Sequence, residues 1–391
     1  MTAFRLSALA LALALVACAD EQPEPGAGAR TRAAAVDWWI YRGDRSLTGV
    51  ASGSLSDTPE LAWTFKTEGA VTSSAAIVGE TVYIGSVDGK LYALDLITGE
   101  QRWAYETEDA VESPPLVLDG KVYFGSNDCY VYCVDATSGQ LCWKFETYEK
   151  VIGSANFVKA DDGKTHLIVG SHDANVYCLD AATGKKIWAY ETMNYVNGTP
   201  SISNNRVVFG GCDAILHVVD VRTGKAVSEV ELGAECYVPG SVVHVDGKVY
   251  VGHYGNAFAC IDLKNEKNDW AYLNNEHPFF SSPAVGEDRI VVGCRDRSLH
   301  CIGRKDGKVI WTFPTRRKID GSPVICGDKV VFGSGDGRVY MVRLDDGEEV
   351  WQYELGRAII SSPAISDGMI VIGSNDKNVY AFRARPSGPD R

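Results

Sequence analysis

The chain has 391 residues, a formal net charge of −13 and a pI near 5.1. That balance disfavours sequence-independent binding to nucleic acid or to an anionic membrane surface through the body of the protein, so any electrostatic site must be a local patch. The 40 glycines, 18 tyrosines and 9 tryptophans beside only 14 prolines fit a β-rich globular protein.

Arg5 precedes an apolar run, Leu6 to Val16, too short to cross a membrane as a stable helix, and Leu15-Val16-Ala17-Cys18 has the form of a lipobox. Residues 1–17 are therefore expected to be a lipoprotein signal peptide, with cleavage before Cys18 and lipidation of its thiol. Ala19 stands where an Asp would favour inner-membrane retention, so the expected place is the outer membrane of a bacterial envelope, facing the periplasm. Residues 18–36 carry no apolar periodicity and no aromatic after the cysteine, and read as a flexible tether. A lead-in segment, 37–60, follows.

From there the chain repeats. Ala93, Asp95, Thr98, Gly99 and Trp103 return as Cys133, Asp135, Ser138, Gly139 and Trp143, and again as Cys178, Asp180, Thr183, Gly184 and Trp188. Trp63, Trp103, Trp143, Trp188, Trp270, Trp311 and Trp351, with Ser228 filling one gap, are 40 to 45 residues apart. That period, with several short strands per unit, predicts a β-propeller. The segment around Trp63 reads as a fourth strand with no first three, and 361–383 as three strands with no fourth. Pairing the two closes a ring of eight blades over 61–384, leaving 385–391 as a tail.

The pattern Ala-x-Asp-x-x-Thr-Gly-x-x-x-Trp resembles the tryptophan-docking motif of quinoprotein-like propellers with pyrroloquinoline-quinone-like repeats. Trp38-Trp39-Ile40-Tyr41-Arg42-Gly43 resembles the Trp-x-x-(Phe/Tyr)-Arg-Gly segment that opens the same fold. The resemblance implies that the seven tryptophans each lie against a glycine peptide of the next blade. An eight-bladed lipoprotein of this length is also similar to the B subunits of the outer-membrane barrel-assembly machinery, which implies a non-enzymatic scaffold. Its expected partner is then an envelope protein such as that machinery, and the propeller is expected to be monomeric.

Two other readings stay open: an oxidoreductase using pyrroloquinoline quinone and calcium, or a propeller binding a small ligand or polysaccharide. Against the oxidoreductase, no two cysteines are adjacent, whereas the family's dehydrogenases carry a vicinal disulfide. There is no nucleophile elbow, phosphate loop or dinucleotide fingerprint, and the 7 histidines form no ligand-spaced pair. No cofactor, metal or catalytic residue is therefore assigned.

Cys133, Cys178, Cys260 and Cys301 share the small-residue slot of Ala93 in different blades and read as buried hydrophobes. Cys133 and Cys142 stand nearly opposite across one hairpin, where a disulfide is open. The once-per-blade Asp of the second turn (Asp88, Asp128, Asp173, Asp213, Asp296, Asp336, Asp376) is assigned to turn chemistry rather than to metal. The loops that join each outer strand to the next inner strand should share one face. There Glu106, Glu108, Asp109 and Glu112 make an acidic arc, and Arg316, Arg317, Lys318 and Arg357 a basic one. With His277, Phe279 and Phe280 between, the basic arc is the expected protein-binding rim, arginine pairing with carboxylates and phenylalanine anchoring.

Overall fold

The computed structural model describes residues 37–274 and 276–385. The expected lipidated Cys18, the tether and nearly all of the tail lie outside them. Among the described residues there are eight sheets and no helix. Blade 1 runs from the channel outward as Ala76–Val78, Thr81–Gly85, Lys90–Asp95 and Gln101–Glu106, and blades 2 to 7 repeat that up-and-down order. In blade 8, Ala364–Ser366, Met369–Ser374 and Asn378–Arg383 are completed by Glu60–Lys66, paired from Glu60↔Arg383 to Lys66↔Asn378. The predicted closure holds. Pairing the two ends of the chain leaves no unsatisfied edge between first and last blades.

Each middle strand is buried on both faces, whereas the outer strands alternate, as in the exposed-buried pattern of Gln101–Glu106. The outer strands carry a bulge at the residue before the docking position, so that Ala93 faces Trp103 and Leu94 faces Gln101. The bulge twists the strand locally and turns the indole toward the neighbouring blade.

Trp103 Nε1 donates to Ala136 O at 3.0 Å, and a Cβ on Gly139 would come within 2.7 Å of its ring. Trp63, Trp143, Trp188, Trp270 and Trp311 dock in the same way on Gly99, Gly184, Gly224, Gly307 and Gly347. Trp351 departs from the expectation. Its neighbour is blade 8, whose third and fourth strands come from opposite ends of the chain, so no hairpin glycine exists there. The indole packs edge-on against Phe382 instead, with centroids 5.1 Å apart. Ser228 has a matching reason. The turn it faces in blade 5, 262–267, has lost Thr-Gly and carries Glu266 at φ 54°, and the Ser228 hydroxyl is buried without a partner.

Two features bind the blades at the centre. The first is a belt of hydroxyls: Thr199 N donates to Ser241 Oγ, Ser241 N to Ser282 Oγ, Ser282 N to Ser322 Oγ, Ser322 N to Ser362 Oγ and Ser362 N to Ser74 Oγ, over 2.8 to 3.1 Å. The belt breaks at Pro114, which offers neither an N–H nor a hydroxyl. The second is the lead-in segment, which crosses the face opposite the outer-to-inner loops. Trp38 O, Trp39 O, Arg45 O, Thr48 O and Gly49 O accept from the first strands of blades 1, 2, 4, 6 and 7. Val50–Ala51 then adds to blade 7 as a parallel fifth strand.

Where the other first strands place an apolar side chain, such as Ile77 or Ile325, blade 5 places His244, buried and with Nδ1 unpartnered. Burial, with a smaller push from Arg206, holds its pKa down at about 4 against 6.5. The unfolded chain takes up a proton below pH 6.5 while the folded one stays neutral until about pH 4, so stability falls across that window. From pH 7 to pH 5 this group should remove about 2 kcal/mol. Urea unfolding of the wild type and of His244→Ile at both pH values checks it: the variant should lose less by about that amount, and equal losses would contradict the assignment.

Candidate functional site on the loop face

The loops from outer to inner strands and the second turn of each blade lie together, because the repeated aspartate joins them. Asp88 accepts from Lys90 N within its turn, from Tyr92 OH at 2.9 Å, and from Glu68 N of the preceding loop at 2.9 Å. Asp128, Asp173 and Asp336 repeat all three bonds. Turn chemistry is thus what these carboxylates do, with the addition that each ties one blade to the next.

Inside the ring a cavity of roughly 300 Å³ is lined by residues from every blade, among them Glu112, Asn197, Phe280, Asp320 and Ser362. Tyr41 enters it from the lead-in side, its hydroxyl 3.3 Å from Ser282 Oγ and 3.1 Å from Ser322 Oγ. Glu112 accepts from Asn127 Nδ2 at 2.8 Å and from Thr72 Oγ1 at 3.3 Å. Asp320 receives Arg295 through Nε at 2.9 Å and Nη2 at 3.3 Å, with Lys318 Nζ at 2.6 Å. The cavity carboxylates therefore sit on separate loops, and Asp320 already holds two cations. This set does not fit a calcium ion with a quinone, since calcium needs six or more converging oxygens.

A second cavity, of roughly 520 Å³, adjoins the first through Asp320 and Ile360 and is lined by Arg297, Arg316, Arg317 and Lys318. Arg316 and Arg317 are exposed, and among the described residues neither guanidinium has an ion-pair partner. Arg357 and His277 are also exposed but do not line either cavity. Phe280 is half-buried at the rim, with Arg295 stacked 3.2 Å above its ring centroid and Tyr254 edge-on at 4.8 Å. Arg295 is one residue that sequence reasoning missed; it makes the rim by contacts to loops on both sides.

Phe279 corrects the expectation of an exposed anchor. It is fully buried, 6.0 Å from Phe258 and 5.8 Å from Tyr272 between centroids, and packs on Gly252, where a Cβ would meet its own at 2.6 Å. Val71, Val111, Val151, Val196, Val238, Ile319 and Ile359 occupy the same buried slot over a glycine in the other blades. Phe279 is the repeat's core residue, and the register of the 40-residue period would have shown it.

The aromatic part of this face is larger than the sequence suggested. Tyr148, Met193 and Tyr195 are 85%, 82% and 50% exposed on the loops after blades 2 and 3. Tyr237 and Tyr254, exposed as well, continue toward Phe280. At the other end Glu108 and Asp109 are exposed, whereas Glu112 has turned into the channel. Among the described residues the cysteines are all free. Cys142 is the bulged residue of its strand, with Leu141 facing Val134 and Trp143 facing Cys133, and its thiol lies beside that of Cys133. Cys133, Cys178, Cys260 and Cys301 are buried, as their slot predicts.

Comparison with known proteins bears on this arrangement. No curated protein sequence matches the chain significantly. Among solved structures, BamB from Moraxella catarrhalis aligns with TM-score 0.69 and 19% identity, over 85% of this chain and 100% of its own. The computationally designed Ika8 protein aligns with TM-score 0.73 and 16% identity, over 84% and 100%. Quinohemoprotein alcohol dehydrogenase from Comamonas testosteroni aligns with TM-score 0.71 and 15% identity, over 91% and 82%. At such identities these likenesses carry the fold alone, which a designed protein and an enzyme share equally. The family profile described as "Outer membrane protein assembly factor BamB" matches residues 50–156, 127–227 and 212–388, and the chain therefore belongs to that family.

Proposed function

We propose that this propeller is a non-enzymatic scaffold, anchored to the outer membrane through Cys18, whose loop face docks an envelope protein engaged in outer-membrane protein assembly. The observation that carries the reading is the asymmetry of the two faces. One is occupied by the chain's own lead-in segment, while the other exposes Tyr148, Met193, Tyr195, Tyr237 and Tyr254 beside a cavity walled by Arg297, Arg316 and Arg317. Exposed aromatics on neighbouring loops beside unpaired arginines are the composition of binding hot spots. The chemistry selects an extended segment with apolar side chains at one end and carboxylates at the other, which arginine can grip bidentately. The family membership supports the assembly role.

Crosslinking in cells followed by quantitative recovery of the partner tests it. Reversing the rim charge with Arg316→Glu and Arg317→Glu together should reduce recovery about tenfold or more, the equivalent of about 1.4 kcal/mol, with the melting temperature unchanged. Undiminished recovery would remove the basic cavity from the docking surface.

A further inference from the structure

We propose that Cys294, Asp296 and His300 of blade 6, with Asn274 as fourth ligand, form a zinc site. The thiol sulfur, a carboxylate oxygen and an imidazole nitrogen of the three lie within 4.8 Å of one another. Asp296 Oδ2 is 3.0 Å from His300 Nε2 and 2.6 Å from Asn274 Nδ2, and that same amide nitrogen is 3.3 Å from Cys294 Sγ. A half-turn of the Asn274 amide puts Oδ1 in place of Nδ2, converging four donors on one point.

The other blades show why this is more than the ordinary clamp. At the positions of Cys294 and His300, blades 1, 2, 3, 7 and 8 carry Ser and Tyr: Ser86 and Tyr92 in blade 1, Ser374 and Tyr380 in blade 8. Those pairs close the turn with hydroxyls and need nothing further. Blade 4 has an aspartate and histidine at the same 3.0 Å, Asp213 and His217, but Gly211 in place of the thiol. Among the described residues, blade 6 alone brings sulfur, nitrogen and oxygen together.

Sulfur with imidazole and one carboxylate is a zinc set, since calcium and magnesium take oxygen throughout. His300 is already oriented for the task. Its Nδ1 lies 3.1 Å from Tyr272 OH, and with the proton on Nδ1 donated there, Nε2 presents its lone pair to the metal. Zinc would take the Cys294 sulfur as thiolate, so binding would release one proton. Cys294 Sγ also approaches His277 O at 3.6 Å and Pro278 O at 3.4 Å. Those contacts need the thiol proton, so in the metal-bound form it is Asn274 that would fasten the loop carrying Phe280 to the turn that carries Arg295.

The repeat supplies variants that keep the fold: Cys294→Ser and His300→Tyr each install the residue found in five other blades. The full chain, stripped with chelator, is titrated with zinc by calorimetry and with cobalt(II) by absorbance. One equivalent of zinc should bind with Kd below about 1 μM, cobalt should give a thiolate-to-metal charge-transfer band, and both variants should bind about a hundredfold more weakly or worse. The exposed Cys142 is kept throughout, so it cannot account for a difference. Absence of saturable zinc binding, equal affinity in Cys294→Ser, or cobalt binding without the sulfur band would each overturn the site.

Discussion

Gly49→Ala should destabilise the propeller by about 3 kcal/mol or more, a shift in urea midpoint with little change in slope. Gly49 sits at φ +69°, and a Cβ there would stand 1.9 Å from Nη2 and 2.4 Å from Cζ of Arg42. Arg42 has nowhere to retreat: it is 1% exposed and donates from Nη2 to Pro283 O at 2.8 Å. Its Nε and Nη1 are buried without partners, and burial lowers the guanidinium to about 10 despite the pull of Tyr41 and Asp44. A cation that is already poorly compensated loses its one strong acceptor if it is displaced. The backbone of Gly49 meanwhile links Arg42 O to Ile325 N, so the strain reaches blade 7. Gly79→Ala is the control. It too has positive φ, +56°, but open space around the added carbon, and should cost only about 1 kcal/mol. Equal costs for the two would mean that the lead-in segment is loosely held.

Trp103→Ala should cost about 3–5 kcal/mol, and Trp351→Ala roughly half as much, by chemical denaturation. Both are the same residue in the same strand of two repeats, blade 1 and blade 7. Trp103 is 9% exposed, bonded to Ala136 O and pressed on Gly139, whereas Trp351 is half-buried, with its ring against Phe382 and Tyr353 and no glycine beneath it. The seam acts as a unit. Gly139→Ala, at φ +70° and against the indole, should by itself remove most of what Trp103→Ala removes, and the double variant should lose less than the sum. Strict additivity would mean that the glycine and the indole do not support one another.

Much of this was readable from the chain because the repeat encodes it locally. A tryptophan, a glycine four residues earlier and an aspartate four before that each act within one hairpin and its neighbour. Their absence is equally readable: Ser228 faces the blade whose Thr-Gly is missing. The closure by Glu60–Lys66 followed from counting strands. The repeat register also held the answer for Phe279, although taking its loop as irregular surface placed it beside Phe280, when adjacent residues in an extended chain face opposite ways.

Sequence alone determined the number of blades, how they close, which side chains fill the seams and which turns share a face, since each depends on contacts repeated every 40-odd residues. Tertiary structure decided the rest. The path of residues 37–51 is set by main-chain bonds to distant strands, and every residue type carries those groups alike. Arg295 on Phe280 and Asp320, and the meeting of Asn274 with Cys294, Asp296 and His300, arise where loops of adjacent blades converge. Such meetings depend on the angle at which two rigid sheets pack, and no spacing along the chain records it.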